Sequence, residues 1–122
     1  MNHPPIFKYA AASAQVQALL GANPTRVYIF GMAPQNVAYP YAVWQVASGS
    51  PENYITNTPD IDMFGIQIDV YAKEAAQARD CAVALRDAFE PYAHVVSWRG
   101  ETRDAETGSY RSSFDVDWYV DR

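Results

Sequence analysis

At 122 residues, 49% of them hydrophobic and 14% aromatic, the chain is long enough to build one domain around its own core and too apolar to be disordered. Its formal net charge of −5 argues against the basic stripe that holds nucleic-acid phosphates. A single cysteine, Cys81, leaves no internal disulfide and no cysteine-based metal site, and fits synthesis in a reducing cytoplasm. Met1-Asn2-His3-Pro4-Pro5 lacks the basic stretch and apolar core of a signal peptide, and no apolar run approaches the ~20 residues of a membrane helix.

In chain order, Pro4 and Pro5 suit a first helical turn, and an alanine-rich helix is expected from there to Leu20, with Ala12, Val16, Leu19 and Leu20 on one face. Gly21 and Asn23-Pro24 end it. A short strand over 26–30 precedes a loop from Gly31 to Pro40. A second strand over 41–47 sets Tyr41, Val43 and Gln45 against Ala42, Trp44 and Val46. Residues 48–62 hold Gly49, Pro51, Asn53, Asn57 and Pro59, all turn formers, and are expected to form a long loop. Tyr54 and Ile55 within it have no use in a purely solvated loop, so they tuck back onto the domain or meet a partner.

A third strand over 63–71 puts Phe64, Ile66, Ile68 and Val70 on one face and Gly65, Gln67, Asp69 and Tyr71 on the other. Lys73 to Phe89 reads as a helix with an apolar stripe through Ala78, Cys81, Ala82, Leu85, Ala88 and Phe89, ended by Pro91. Ala93 to Thr102 is a fourth strand, and Arg103 to Gly108 a turn-rich connection. In the terminal strand, Tyr110, Ser112, Phe114, Val116, Trp118 and Val120 point one way. Arg111, Ser113, Asp115, Asp117, Tyr119 and Asp121 point the other. At roughly 40 Å this strand either crosses a whole sheet or projects to meet a neighbour. The expected fold is therefore α+β: a largely antiparallel sheet of about five strands with two helices on one face, forming one domain over residues 1–122.

Few residues of the chain are spaced for chemistry. His3 and His94 have no partner at metal-ligand spacing. Cys81 lies on an apolar stripe, where a thiol acts as a small hydrophobe. Asp115 and Asp117 share a strand face about 7 Å apart, and Asp69 joins them if its strand is adjacent. A straight strand diverges its carboxylates, so a solvated or intersubunit acidic face is favoured over a cation site. Gly49, Gly100 and Gly108 form no phosphate-binding pattern, and no nucleophile motif is present. Trp44, Trp98 and Trp118 all sit in strands, where tryptophan is usually core; an exposed one would mark an interface.

Five segments in register carry a resemblance: Arg26-Val-Tyr28, Ala33-Pro-Gln35, Pro40-Tyr-Ala-Val-Trp-Gln45, Ile66-Gln-Ile-Asp-Val-Tyr71, and Glu106-Thr-Gly-Ser-Tyr-Arg-Ser-Ser113 leading into Trp118. In this order they resemble the tail-completion family of long-tailed bacteriophages and prophages, similar to the tail terminator of phage lambda. The resemblance covers most of the chain, from the first strand onward. It implies a structural protein without catalytic residues or cofactors. Such a protein closes into a hexameric ring on the head-proximal end of the tail tube, stops tube polymerisation and offers a surface to the head connector or stopper. The implied location is the neck of the virion tail, after synthesis in the host cytoplasm, with no membrane involved.

Under that resemblance three groups of residues acquire roles. Pro51, Asn53, Tyr54, Ile55 and Thr56 would contact the tube or a neighbouring subunit. Asp69, Asp115 and Asp117 would face a lumen through which DNA slides without specific binding, because like charge repels the backbone. Trp98, Arg99, Glu106, Tyr110 and Arg111 would form an intersubunit hairpin. Two rival readings stay open: another neck component such as a head–tail connector or stopper, and a small-molecule-binding α+β domain, which needs a concave pocket with convergent polar groups.

Overall fold

The computed structural model describes residues 3–51 and 61–121. Where one helix was expected through Leu20, two short ones form: α1 (Ile6–Ala12) and α2 (Ala14–Leu20). Ser13 divides them. It is extended (φ −85°, ψ 122°), and its Oγ accepts a hydrogen bond from the Val16 N–H at 3.2 Å. Serine competes well for this capping position, so the chain breaks there and restarts. The break redirects the apolar face: Ile6, Ala10, Val16 and Leu20 are buried, whereas Ala12 is exposed. Gly21 ends α2 at φ +90°, and a Cβ there would stand 2.7 Å from an Arg26 guanidinium nitrogen. Only glycine suits that turn.

Arg26 ties the helices to the sheet. Its backbone N–H donates to the Leu20 carbonyl at 2.8 Å, and its Nε donates to the Pro40 carbonyl at 2.8 Å. The strands and last helix follow as β1 (Val27–Ile29), β2 (Tyr41–Pro51), β3 (Ile61–Ala72), α3 (Ala75–Phe89), β4 (His94–Arg103) and β5 (Tyr110–Asp121). They make one five-stranded sheet in the order β1-β2-β3-β5-β4. Only the β1–β2 pairing is parallel. The fold is α+β, with three helices rather than two.

Residues 48–62 are less of a loop than their composition suggests. β2 runs on through Pro51 and β3 begins at Ile61, with Ser48 opposite Gly65 and Pro51 opposite Asp62. A bulge at Ala47 shifts the register. Gly65 has no side chain to obstruct Ser48, whose Oγ fills the space a Cβ would need. Gly49 and Pro51 thus sit in a strand held by its partner, while Asn53, Asn57 and Pro59 lie outside the described residues. Long-range pairing overrides local propensity here.

β5 settles the alternative posed by its length: it crosses the sheet. It pairs with β3 from Ile61↔Asp121 to Ala72↔Tyr110, and with β4 on its other side. α3 packs on β3 and β5, and α1 and α2 pack against α3, so one sheet face is covered. Phe89, Phe114, Ile66, Ile68, Leu85, Val70 and Val116 are fully buried there. Burial of each such side chain is worth about 1.5–3 kcal/mol.

Candidate functional site

Alternation along β3 and β5 sends every second residue to the face that no helix covers. Asp69, Asp115 and Asp117 all lie on it: Asp69 faces Ser113, Asp115 faces Gln67, and Asp117 faces Gly65. The three are not equivalent. Asp69 is buried, and its carboxylate accepts hydrogen bonds from Gln67 Nε2 at 3.1 Å and from Ser113 Oγ. Asp115 is half-buried and accepts from Arg99 Nε at 2.8 Å and Ser97 Oγ at 3.1 Å. Asp117 is half-buried with His94 as its register partner on β4. Adjacent strands bring the carboxylates to one face, but Asp69 is held by the neutral donors Gln67 and Ser113, and Asp115 is paired with the Arg99 cation.

The hairpin residues divide between the two faces. Arg99 and Arg111 belong to the open face, whereas Trp98 and Tyr110 belong to the helix-covered side. Glu106 sits in the connecting turn, which Asp104 organises by accepting from the Glu106 N–H at 2.9 Å. That bond, seconded by one from the Thr107 N–H, holds the Asp104 carboxyl below its usual range. The Arg103 guanidinium lies 5.5 Å from the Tyr110 ring centre. β4 is the sheet edge and carries two bulges, at Val96 and Arg99, with Gly100 at φ +102° taking up the second. The bulges rotate the strand away from its partner. Trp44 and Trp118 are core, but Trp98 stays 48% exposed although its ring packs 5.2 Å from Phe114. Beside it an apolar cleft of about 280 Å³ opens between α3 and β4, lined by Ala82, Val83, Trp98 and Gly100 and rimmed by the Arg79–Glu101 ion pair.

Sequence reading missed the opposite edge. Phe30 and Met32 flank Gly31 in the turn after β1, and each is 69% exposed, with Ile29 beside them at 37%. Gly31 has φ +82° and open space beside its missing side chain, while the Phe30 N–H anchors the turn to the Trp44 carbonyl at 2.8 Å. The available signal was the charge-free run over residues 27–51. Nearby, Tyr39, Tyr41 and Tyr71 form a ring ladder with centroid spacings of 5.4 and 5.1 Å, and Lys73 Nζ lies 5.1 Å from Tyr39. Burial, then the neighbouring tyrosines, raises the Tyr41 pKa. The open cleft beside the ladder is lined by Gln35, Asn36, Tyr39 and Tyr41, with Lys73 as its one charged residue.

Pro51 ends β2 in an exposed position, while Asn53, Tyr54, Ile55 and Thr56 lie outside the described residues. Among the described residues no cluster of three or more His, Cys, Asp or Glu is placed to hold a metal ion. Cys81 is buried, and that burial first, with Asp80 second, pushes its thiol up to about 11. No described helix is long and apolar enough to cross a membrane.

The family model described as tail completion protein gp17 matches residues 4–121. The chain belongs to that tail completion family. It is thus a structural component of a phage tail. Among solved structures, a chain of the virion of a native gene transfer agent particle is similar in fold. The match has a TM-score of 0.66 and 19% identity, covering 96% of this chain and 92% of that one. No curated protein matches.

Proposed function

We propose that this tail completion protein forms a ring, hexameric by the family resemblance, on the head-proximal end of the tail tube. There it ends tube polymerisation and presents the surface that the head connector or stopper joins. Residues 1–122 act as one domain in this role, made in the host cytoplasm and incorporated at the virion neck. The family match over residues 4–121 carries the reading. The geometry supports it: one sheet face bears no helix, and both outer strands are unpaired among the described residues.

In the ring the open face would turn toward the lumen. Its carboxylates, and a net charge of −5, disfavour attraction of the DNA backbone. Because Asp69 is buried and Asp115 is paired with Arg99, the repulsion would be mild and carried largely by Asp117 and Asp121. Nothing in this role calls for catalysis.

The test measures the mass of the purified protein, alone and with tail-tube protein, by light scattering and negative-stain imaging. Closed rings, or tubes of fixed length capped at one end, are expected. Binding to portal with no effect on tube length would favour a connector or stopper instead.

A further inference from the structure

A ring built from one repeated contact needs two unlike surfaces on each subunit, placed on different sides. The sheet offers such a pair. One edge bears the Phe30–Met32 turn, and the other bears the Trp98 cleft. Five strands at ~4.8 Å spacing separate these edges by about 20 Å, so the two features do not belong to one patch.

We propose that the Phe30–Met32 turn of one subunit inserts into the Trp98 cleft of the next, forming the repeated head-to-tail contact of the ring. The inference rests on the ring reading above and names the surfaces that make the ring. The turn is a knob: two large apolar side chains stand 69% exposed on a chain segment that carries no charge from residue 27 to residue 51. Interface cores are depleted of charge and enriched in aromatic residues and methionine. The cleft is a hole of matching chemistry. At about 280 Å³ it falls just below the ~300–1,000 Å³ of small-molecule pockets and suits one or two side chains. Its only charges are the Arg79 and Glu101 side chains, which answer each other at 2.7 Å across the rim. They would surround the buried contact and exclude water from it.

Area explains why the occupant is a second copy in a closed ring and not the other half of a stable dimer. Ile29, Phe30, Met32, Val96 and Trp98, at their observed exposures, together present on the order of 500–600 Å² of apolar surface. A standard interface of ~1,600 Å² is a little over half apolar, or about 900 Å². One contact therefore falls short, and closure or the tube end supplies what is missing. This keeps free subunits from capping one another before a tube is ready.

The test uses full-length chains with paired cysteines, Met32→Cys and Val83→Cys, the second lining the cleft. The buried Cys81 thiol is the internal control. Each variant is oxidised alone and mixed, on tail tubes whose capping is scored in parallel. Cross-linked dimers from the mixture alone, and a ladder ending in one closed species from the chain carrying both changes, are expected. Dimers from either single variant alone would mean a two-fold contact and overturn the proposal. Tubes capped normally with no cross-link would overturn it too, while leaving the ring reading intact. A wild-type protein that neither caps tubes nor forms rings would remove the ring reading and the contact with it. As a second arm, Phe30→Ser with Met32→Ser should lower tube capping about tenfold or more at unchanged thermal stability, since both side chains are exposed. Retained capping would overturn the proposal.

Discussion

On the helix-covered face of the sheet, Ile66, Ile68, Phe114 and Val116 from β3 and β5 are buried beneath α3. On the other face, the intervening residues of the same two strands place Gln67 and Asp69 against Ser113 and Asp115. The first set is held by non-directional burial, so each member depends on total volume. The second is held by directional hydrogen bonds between named partners, so each member depends on one or two others. A protein that must expose one sheet face cannot stabilise that face by covering it. Instead it satisfies the polar groups across the strands.

The sharpest way to separate the two faces is Phe114→Ala. The ring is fully buried at the middle of β5 and lies opposite Ile68 and Trp98. The loss should be about 3–5 kcal/mol, read by urea denaturation, with the melting temperature falling by roughly 10 °C or more. A cost under about 1 kcal/mol would mean that the covered face is not the source of stability. Next in size is Asp69→Ala on the open face. Removing the buried acceptor strands the Gln67 amide and the Ser113 hydroxyl, at a cost of about 1–3 kcal/mol. The double change Asp69→Ala with Ser113→Ala should recover part of that loss, because it removes an orphaned donor as well. No recovery would show that the two residues are not coupled as the geometry indicates.

The covered face was legible from sequence because burial repeats every second residue: β3, β5 and α3 were read within a few residues of where they lie. Other features depended on interactions that composition does not encode. Ser13 splits the first helix through a single side-chain bond to Val16. Ser48, Gly49, Ser50 and Pro51 look like turn residues, yet they are strand because Asp62, Met63, Phe64 and Gly65 lie opposite. On the open face, the shared acidic side was legible, but the pairing of Asp115 with Arg99 was not. Alternation already puts Arg99 on the side of Ser97, but the register that brings both to Asp115 is fixed only by the β4–β5 ladder and its bulge. The apolar turn at Phe30 was hidden because strand periodicity predicts a packed residue where the chain turns out to solvent.

The smallest expected effect concerns that Arg99–Asp115 pair. Arg99 Nε reaches both carboxylate oxygens at 2.8 Å, but the side chains are 51% and 22% exposed. A pair so placed contributes about 0–1 kcal/mol, because water screens it and holding the long arginine in place costs side-chain entropy. Arg99→Ala should therefore lower stability by at most about 1 kcal/mol in low salt, and the gap from wild type should shrink as salt rises toward 1 M. The same change unmasks the Asp115 carboxylate, leaving Ser97 as its donor, so the open face becomes more acidic with little change in fold. Under the lumen reading this variant should still cap tubes, since it only adds negative charge to a face that DNA passes; a loss of capping at unchanged stability would favour the intersubunit role expected for Arg99. A salt-independent loss of 2 kcal/mol or more, by the yardstick of exposed pairs, would show something different. It would mean that Arg99 holds the bulge itself, and that the bent edge of β4, with the cleft behind it, depends on this side chain for its shape.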